Sequence, residues 1–540
     1  MNSPSDPNRN SLLATGKDLM RAGQLAEAEQ KFNRILARVP HDPDALHLLG
    51  LIRFQAGNHE EAVNYIKKAI AHAQPNEDYL HNLGQIYNMT AEFAHASECF
   101  RQALDINPDY PDAHLNLGTA LQGLGQLDDA VASYEKALAI KPEYPEAHVN
   151  LGNAFIVQGR PDDAVATFHK ALAIKPDSAV THSNLGNALK DLGRLDDAVA
   201  SYEEALAIKP DYPEALVNLG TALQELERPD DAVASYRKAL SIKPDFPEAH
   251  YNLGLALKEI GRLEDAAASF QEALALDPDF ALAHGDLGHV FKDLGRLGEA
   301  EKSYRCALQI DPELNDVRHF KSAVAGETTE IPPDGYVRKS FDDYAKRFDD
   351  HLTNTLGYEI PTMMRQAVDH ITGSNAKFRR ALDLGCGTGL VGQEFGDIVE
   401  QLHGNDLSPE MIKIAEQKEI YDEIYLADAL EFLERPENQQ TGYDIVLAAD
   451  FFIYIGNLAP IFAAVREVMT AGGLFVFSVE SLDQGTSKLL LSGRYSQSEA
   501  YIRNLASDGD FSVELCNQVI VRTERGDPIP GNVFILKKAL

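Results

Sequence analysis

The chain contains no tryptophan and only four cysteines, Cys99, Cys306, Cys386 and Cys516, far apart in the sequence. There is no C-x-x-C pair and no histidine cluster at ligand spacing, so neither a disulfide framework nor a metal site is expected. No apolar run approaches the roughly 20 residues of a membrane-spanning helix. The opening MNSPSDPNRN is polar and lacks the apolar core of a signal peptide. Residues 1–8 therefore read as a disordered N-terminus, and the expected setting is cytoplasmic, away from membranes. Positive charge is scarce too. Lys and Arg number 49 against 83 Asp and Glu, a formal charge of −34. The deficit is spread along the chain, since residues 331–540 alone hold 32 acids and 19 bases. Such a surface repels a phosphate backbone, so no nucleic-acid partner is expected.

What the chain does have is length and repetition. At 540 residues, 44% of them hydrophobic and 24% charged, it is too long for one core and too apolar for wholesale disorder. Stepping by 34 from Arg9 gives nine registers, the last ending at residue 314. The eighth position is glycine in all nine (Gly16, Gly50, Gly84 and onward to Gly288), and the twentieth is alanine in all nine (Ala28 to Ala300). Proline closes nearly every register, as at Pro142, where it stops one helix and presets the next. The register beginning at Pro111 reads as two helices, 113–124 and 128–140, with small residues such as Gly118 and Ala130 where the helix backbones approach. Small residues at positions 8, 20 and 27 of a 34-residue period resemble the tetratricopeptide (TPR) repeat. The usual bulky aromatic at position 4 is replaced by histidine or leucine (His114, His148, His182, Leu216, His250, His284), and these histidines read as packing residues.

Position 6 carries asparagine in six successive registers: Asn82, Asn116, Asn150, Asn184, Asn218 and Asn252. Two readings stand side by side. On a concave groove, such a ladder of amides can hydrogen-bond the backbone of an extended protein or peptide partner, and it resembles the TPR superhelix of O-GlcNAc transferases. Alternatively, the amides bridge neighbouring repeats within the array.

Beyond Pro312 the period ends, and residues 315–335 read as a linker. Strands are expected at 377–384, 401–405, 423–426, 443–449 and 474–479, alternating with helices, and 513–523 with 531–537 as a closing pair. This alternation implies a mostly parallel doubly wound sheet with its ligand at the carboxyl ends of the strands. The first strand runs into D-x-G-x-G-x-G, with Asp383, Gly385, Gly387 and Gly389, and Leu390 stands where a dinucleotide fingerprint has its third glycine. Glycines let the backbone turn sharply and approach a ligand closely.

The pattern resembles motif I of class I S-adenosylmethionine (SAM) methyltransferases. The resemblance implies SAM as cofactor, Asp406 on the ribose hydroxyls, and Leu407 covering the adenine. It further implies Asp428 and the Ala429 amide at the adenine edge, with Asp383 near the methionine ammonium. Upstream, the aromatic–acidic helix at 341–352 resembles a lid that closes over the cofactor, with Tyr344 and Phe348 facing it; packing on the sheet is the alternative. Asp450 and Tyr454, after the fourth strand, are candidates to orient a nucleophile or accept its proton, or to cap structure. Cys386 reads as a small residue in a tight turn.

The whole chain resembles bacterial TPR-containing methyltransferases of class I. The expected architecture is an all-α TPR solenoid of about nine repeats (residues 9–314), a linker, and an α/β Rossmann-like methyltransferase domain (residues 336–540). The implied function is methyl transfer, with the solenoid recruiting a partner or protein substrate. The alternative is a non-catalytic scaffold that only binds SAM or has lost that ability.

Overall fold

The computed structural model describes residues 7–333, 335–345, 348–350, 352, 357–439, 441–524 and 526–540. The N-terminus expected to be disordered lies mostly outside them, but Pro7 and Asn8 already belong to helix Pro7–Arg21. Among the described residues no helix is long and apolar enough to cross a membrane. The chain forms two compact units, residues 1–256 and 257–540.

The first unit is helical throughout. Helices come in pairs, as in Pro111–Gly123 with Leu127–Ile140 and Pro145–Val157 with Pro161–Ile174. Proline at the first helical position fixes φ where no amide partner is needed. The turn inside each pair uses a left-handed glycine, with φ of 74° at Gly125 and 71° at Gly159. Position-8 glycines have a different reason from the backbone approach expected of them. A Cβ on Gly118 would lie 2.5 Å from Tyr134 Cε1, and one on Gly152 the same distance from Phe168 Cε1. The glycine makes room for a buried ring from the second helix rather than for its backbone. Ile66 takes the ring's place beside Gly50. The histidines at position 4 each donate a ring N–H to the preceding proline carbonyl, His114 to Pro108 at 2.9 Å and His148 to Pro142 at 3.0 Å.

The second unit begins with the last helical pairs, including Ala281–Asp293 with Leu297–Ile310. The stretch expected as a linker is structured. Asn315–Ala325 is a further helix, ended by left-handed Gly326 at φ 71°. Its His319 is 1% exposed and donates from Nε2 to the Gly493 carbonyl at 2.8 Å. Beyond it the Glu330 carbonyl accepts the amides of Gly456 (2.9 Å) and Asn457 (2.8 Å). The departure from the 34-residue pattern concealed a helix that covers the end of the array and straps it to the α/β segment.

Among the described residues nine strands form one sheet: β1 Phe378–Leu384, β2 Val399–Asp406, β3 Glu423–Leu426, β4 Tyr443–Ala448, β5 Met469–Leu482, β6 Ser487–Leu489, β7 Tyr495–Ser498, β8 Phe511–Glu524 and β9 Asp527–Lys538. The order is β3-β2-β1-β4-β5-β7-β6, with β9 pairing both β5 and β8. Strands β1 to β5 pair in parallel and β9 runs antiparallel to β5. Ala471-Gly472-Gly473, which precedes the strand expected at 474–479, lies inside β5 at a bulge, with Gly472 at φ 74°. Strand β5 alternates in the manner of a sheet covered on both faces. Phe475 and Phe477 enter one core with Phe452, Phe462 and Phe534, while Leu474 and Val476 enter the other with Met364, Val368 and Ile535. The short β6–β7 pair and helix Glu499–Asp508, capped by Ser498 on the Tyr501 amide at 3.1 Å, are additional to the expected elements.

Candidate functional site

Because β1, β2 and β4 are parallel and adjacent, their carboxyl ends bring Asp383, Asp406 and Asp450 to one edge of the sheet. The glycine loop leaves β1 with φ of 66° at Gly385, 55° at Gly387 and 93° at Gly389, a run that only glycine adopts without strain. Asp406 holds it in place: Oδ2 accepts the Gly387 amide at 2.9 Å and Oδ1 the Ser408 amide at 2.8 Å. Burial raises the Asp406 carboxyl, and these amides oppose the rise. Asp383 lies behind the loop, 1% exposed. Its Oδ2 accepts the Tyr421 hydroxyl at 2.6 Å, and Oδ1 has no partner among the described residues. Burial pushes its carboxyl up to about 7, with Tyr421 working against the shift and Asp406 adding to it. Cys386 is buried and its thiol is pushed well up, which fits a small turn residue.

Gly385, Gly387, Asp406, Leu407, Asp428, Ala429, Tyr344, Phe348, Asp450 and Tyr454 all line one cavity of about 1440 Å³. Asp383 and Gly389 do not. Gly389 turns toward Tyr421 instead, whose ring would lie 3.1 Å from a Cβ there. Asp428 is exposed and also caps helix Ala429–Glu434, its Oδ1 accepting the amides of Leu430 (2.9 Å) and Glu431 (3.2 Å).

Upstream of β1, helix Tyr336–Tyr344 and the turn Phe348–Asp350 replace the single expected helix, residues 346–347 and 351 being outside those described. Tyr344 and Phe348 meet edge-on at 5.4 Å and Phe341 meets Tyr454 edge-on at 5.1 Å. Three bonds fasten this segment to the residues that follow β1 and β2. Ser408 Oγ donates to Asp342 at 2.6 Å, Thr388 Oγ1 donates to Asp349, and Lys418 Nζ reaches Asp349 at 2.7 Å.

Asp450 sits at φ 51°, its amide donating to Ser478 Oγ at 2.9 Å. Its Oδ2 accepts from Arg522 Nη1 at 2.5 Å, and Oδ1 is buried without a partner among the described residues. Arg522 also pairs with Glu480 and with Glu524, and Arg494 pairs with the same two glutamates. Burial raises the Asp450 carboxyl, Arg522 lowers it and Glu480 raises it further. The Tyr454 hydroxyl is raised by burial, with Arg522 opposing.

The asparagine ladder makes contacts along the array. Asn82 and Asn116 meet the Nε2 atoms of His47 and His81 at 2.9 Å, while Asn184 and Asn218 donate to Asn153 and Asn187 at 3.0 Å. Four of the six amides thus bridge successive repeats, as in the second reading of the sequence. Asn150 and Asn252 are half-buried.

Residues 382–475 match a family described as methyltransferase domain. Residues 13–78, 115–179, 247–280 and 281–314 match tetratricopeptide-repeat families, and 92–125, 186–227 and 225–261 match a further TPR-repeat family. The chain is a TPR array followed by a methyltransferase domain. A ubiquinone biosynthesis O-methyltransferase of Burkholderia vietnamiensis is 29% identical over 103 residues, 18% of this chain and 44% of that protein. The putative methyltransferase YqeM of Bacillus subtilis is 29% identical over 110 residues, 19% of this chain and 42% of its own length. The chain therefore spans less than half the length of these curated relatives. Among solved structures, MamA is 28% identical over 30% of this chain and 95% of its own, with a TM-score of 0.29. YrrB, described as a TPR protein with an unusual peptide-binding site, is 24% identical over 35% and 96%, with a TM-score of 0.31.

In the methyltransferase domain, the residues that the sequence did not disclose are those acting across long separations. Arg522 reaches Asp450 from 72 positions away, and Asp349 reaches Thr388 from 39. No local spacing signals either pair. Phe451 had a nearer clue: it is aromatic, adjacent to Asp450, and its ring lies 2.7 Å from where a Cβ on Gly385 would stand.

Proposed function

We propose that this protein is a SAM-dependent methyltransferase whose TPR array recruits a partner or presents a protein substrate. The observation that carries the reading is the double hold of Asp406 on Gly387 and Ser408, which joins the glycine loop and the end of β2 into one cradle on the cavity wall. A sulfonium cofactor would supply an activated methyl group there. Leu407 would lie along the adenine, the Asp406 carboxylate would accept ribose hydroxyls, and Asp428 with the Ala429 amide would hold the base edge. Asp383, buried behind Gly385 and off the cavity wall, would support the loop rather than touch the ligand. The chain's own contribution is alignment and exclusion of water, with helix Tyr336–Tyr344 as the cover.

Calorimetry with SAM and S-adenosylhomocysteine tests the reading, and binding near 1:1 is expected. Absence of binding overturns it. Labelled-methyl incorporation into the protein and small-molecule fractions of a lysate then separates the acceptor classes. Binding without incorporation in either fraction favours a non-catalytic scaffold.

A further inference from the structure

The cavity of about 1440 Å³ exceeds the roughly 300–1,000 Å³ of a typical single-ligand pocket, so it has room for a second molecule. Besides the glycine loop, it is lined by Phe341, Tyr454, Asp450, Arg494, Arg522 and Glu524. Two guanidinium groups, Arg494 and Arg522, here meet three carboxylates, Asp450, Glu480 and Glu524. Arg522 and Glu480 are each 4% exposed, so solvent does little to screen the network. Among the described residues the network holds one more negative than positive group, and one acceptor, Asp450 Oδ1, has no donor.

That combination selects among acceptors. An anionic substrate would find both guanidinium groups already paired. A phenol would satisfy Oδ1 but leave the excess charge. A protonated amine supplies a donor and the missing positive charge together, and the rings of Phe341 and Tyr454 line the same cavity, where aromatic groups favour a cation. The carboxylate torsion of an aspartate is soft and two-fold, so Asp450 can turn its open oxygen toward an arriving donor.

Resting on the methyltransferase reading, we infer that the methyl acceptor is an amine, bound as its ammonium against Asp450 in this cavity. The ammonium proton passes to the Asp450 carboxylate. The freed nitrogen lone pair forms the new N–CH₃ bond as the C–S bond of the sulfonium donor breaks, its electron pair remaining on sulfur. The products are the thioether and a methylated ammonium. Proton transfer from ammonium to carboxylate removes two buried charges at once, so burial assists it; transfer from a phenol only relocates a charge. Asp450 is thereby a base as well as a binding group.

The test uses the full-length chain saturated with S-adenosylhomocysteine and titrated by calorimetry with benzylamine, phenol and benzoate at neutral pH. Benzylamine is expected to bind at least tenfold tighter than either. Asp450→Asn is expected to abolish that preference while S-adenosylhomocysteine affinity stays within twofold. Equal or tighter binding of phenol or benzoate, or no binding of benzylamine, overturns the assignment, as does an Asn variant that keeps the preference. The wild-type comparison decides by itself where the Asn variant fails to fold. Failure to bind S-adenosylhomocysteine would instead overturn the methyltransferase reading.

Discussion

Asp406 accepts the amide of Gly387 at 2.9 Å across 19 residues of sequence, and its other oxygen accepts the Ser408 amide at 2.8 Å. One carboxylate therefore sets both the shape of the glycine loop and the start of helix Pro409–Gln417, whose N-cap is Ser408. The bonds act across a parallel strand pair, so the loop geometry depends on the register of β1 against β2, where Leu384 stands opposite Asn405.

Replacing Asp406 by alanine removes an ionised acceptor from two backbone donors and from any ribose bound there. Bonds to charged groups contribute about 1.5–3 kcal/mol, so S-adenosylhomocysteine affinity should fall about 10- to 100-fold. Calorimetry measures it, and an unchanged dissociation constant would remove Asp406 from the cofactor site.

Two glycines of the loop should respond differently to alanine. At Gly387, with φ 55°, the nearest neighbour of a Cβ is Phe348 Cε1 at 3.9 Å, so the cost is left-handed backbone alone, about 1–2 kcal/mol. At Gly385, with φ 66°, the Cβ would meet Phe451 Cδ2 at 2.7 Å and the ring must move, adding about 1–3 kcal/mol. Thermal unfolding should rank wild type above Gly387→Ala above Gly385→Ala.

Asp383 titrates near 7 in the folded chain, well above an ordinary aspartate, chiefly because it is buried. Between about pH 4 and 7 the unfolded chain has lost a proton that the folded chain keeps. This group's contribution to stability is therefore full below pH 4, declines as pH rises to about 7, and is level above that. The loss is on the order of 1–4 kcal/mol. Asp383→Asn should flatten that segment of the stability profile, measured by denaturant unfolding across the pH range.

In the TPR array, Asn187 Oδ1 accepts from both the Tyr202 hydroxyl (2.7 Å) and Asn218 (3.0 Å). Asn187→Ala strands a hydroxyl on a ring that is 0% exposed, and should cost about 1–3 kcal/mol. Asn218→Ala leaves Asn187 still serving Tyr202 and should cost about 1 kcal/mol or less. Chemical denaturation of the two variants gives the comparison, and equal losses would contradict the shared-acceptor geometry.

The repeats were legible because each register repeats the same helix signals, so nine copies average out local ambiguity. The parallel strands were legible from short apolar runs ending in acids or glycine, as at Asp383 and Asp406. What escaped had no period or local marker. Strands β6 and β7 are three and four residues long, and β7 is half serine, so neither shows an apolar run. Helix Asn315–Ala325 was hidden by the proline-rich segment after it, although Gly326 was a usable stop signal. The Arg522 network depends on β8 lying beside β9 and β9 beside β5, a relation of topology rather than spacing.

The strap from His319 to Glu330 also bears on how such a protein can be rearranged by recombination. A crossover placed near residue 335, at the apparent edge between array and methyltransferase domain, would separate His319 from Gly493 and Glu330 from Gly456. A viable exchange of repeat arrays would have to cut further back, inside the repeats, so that the final pairs travel with the methyltransferase domain as one heritable piece.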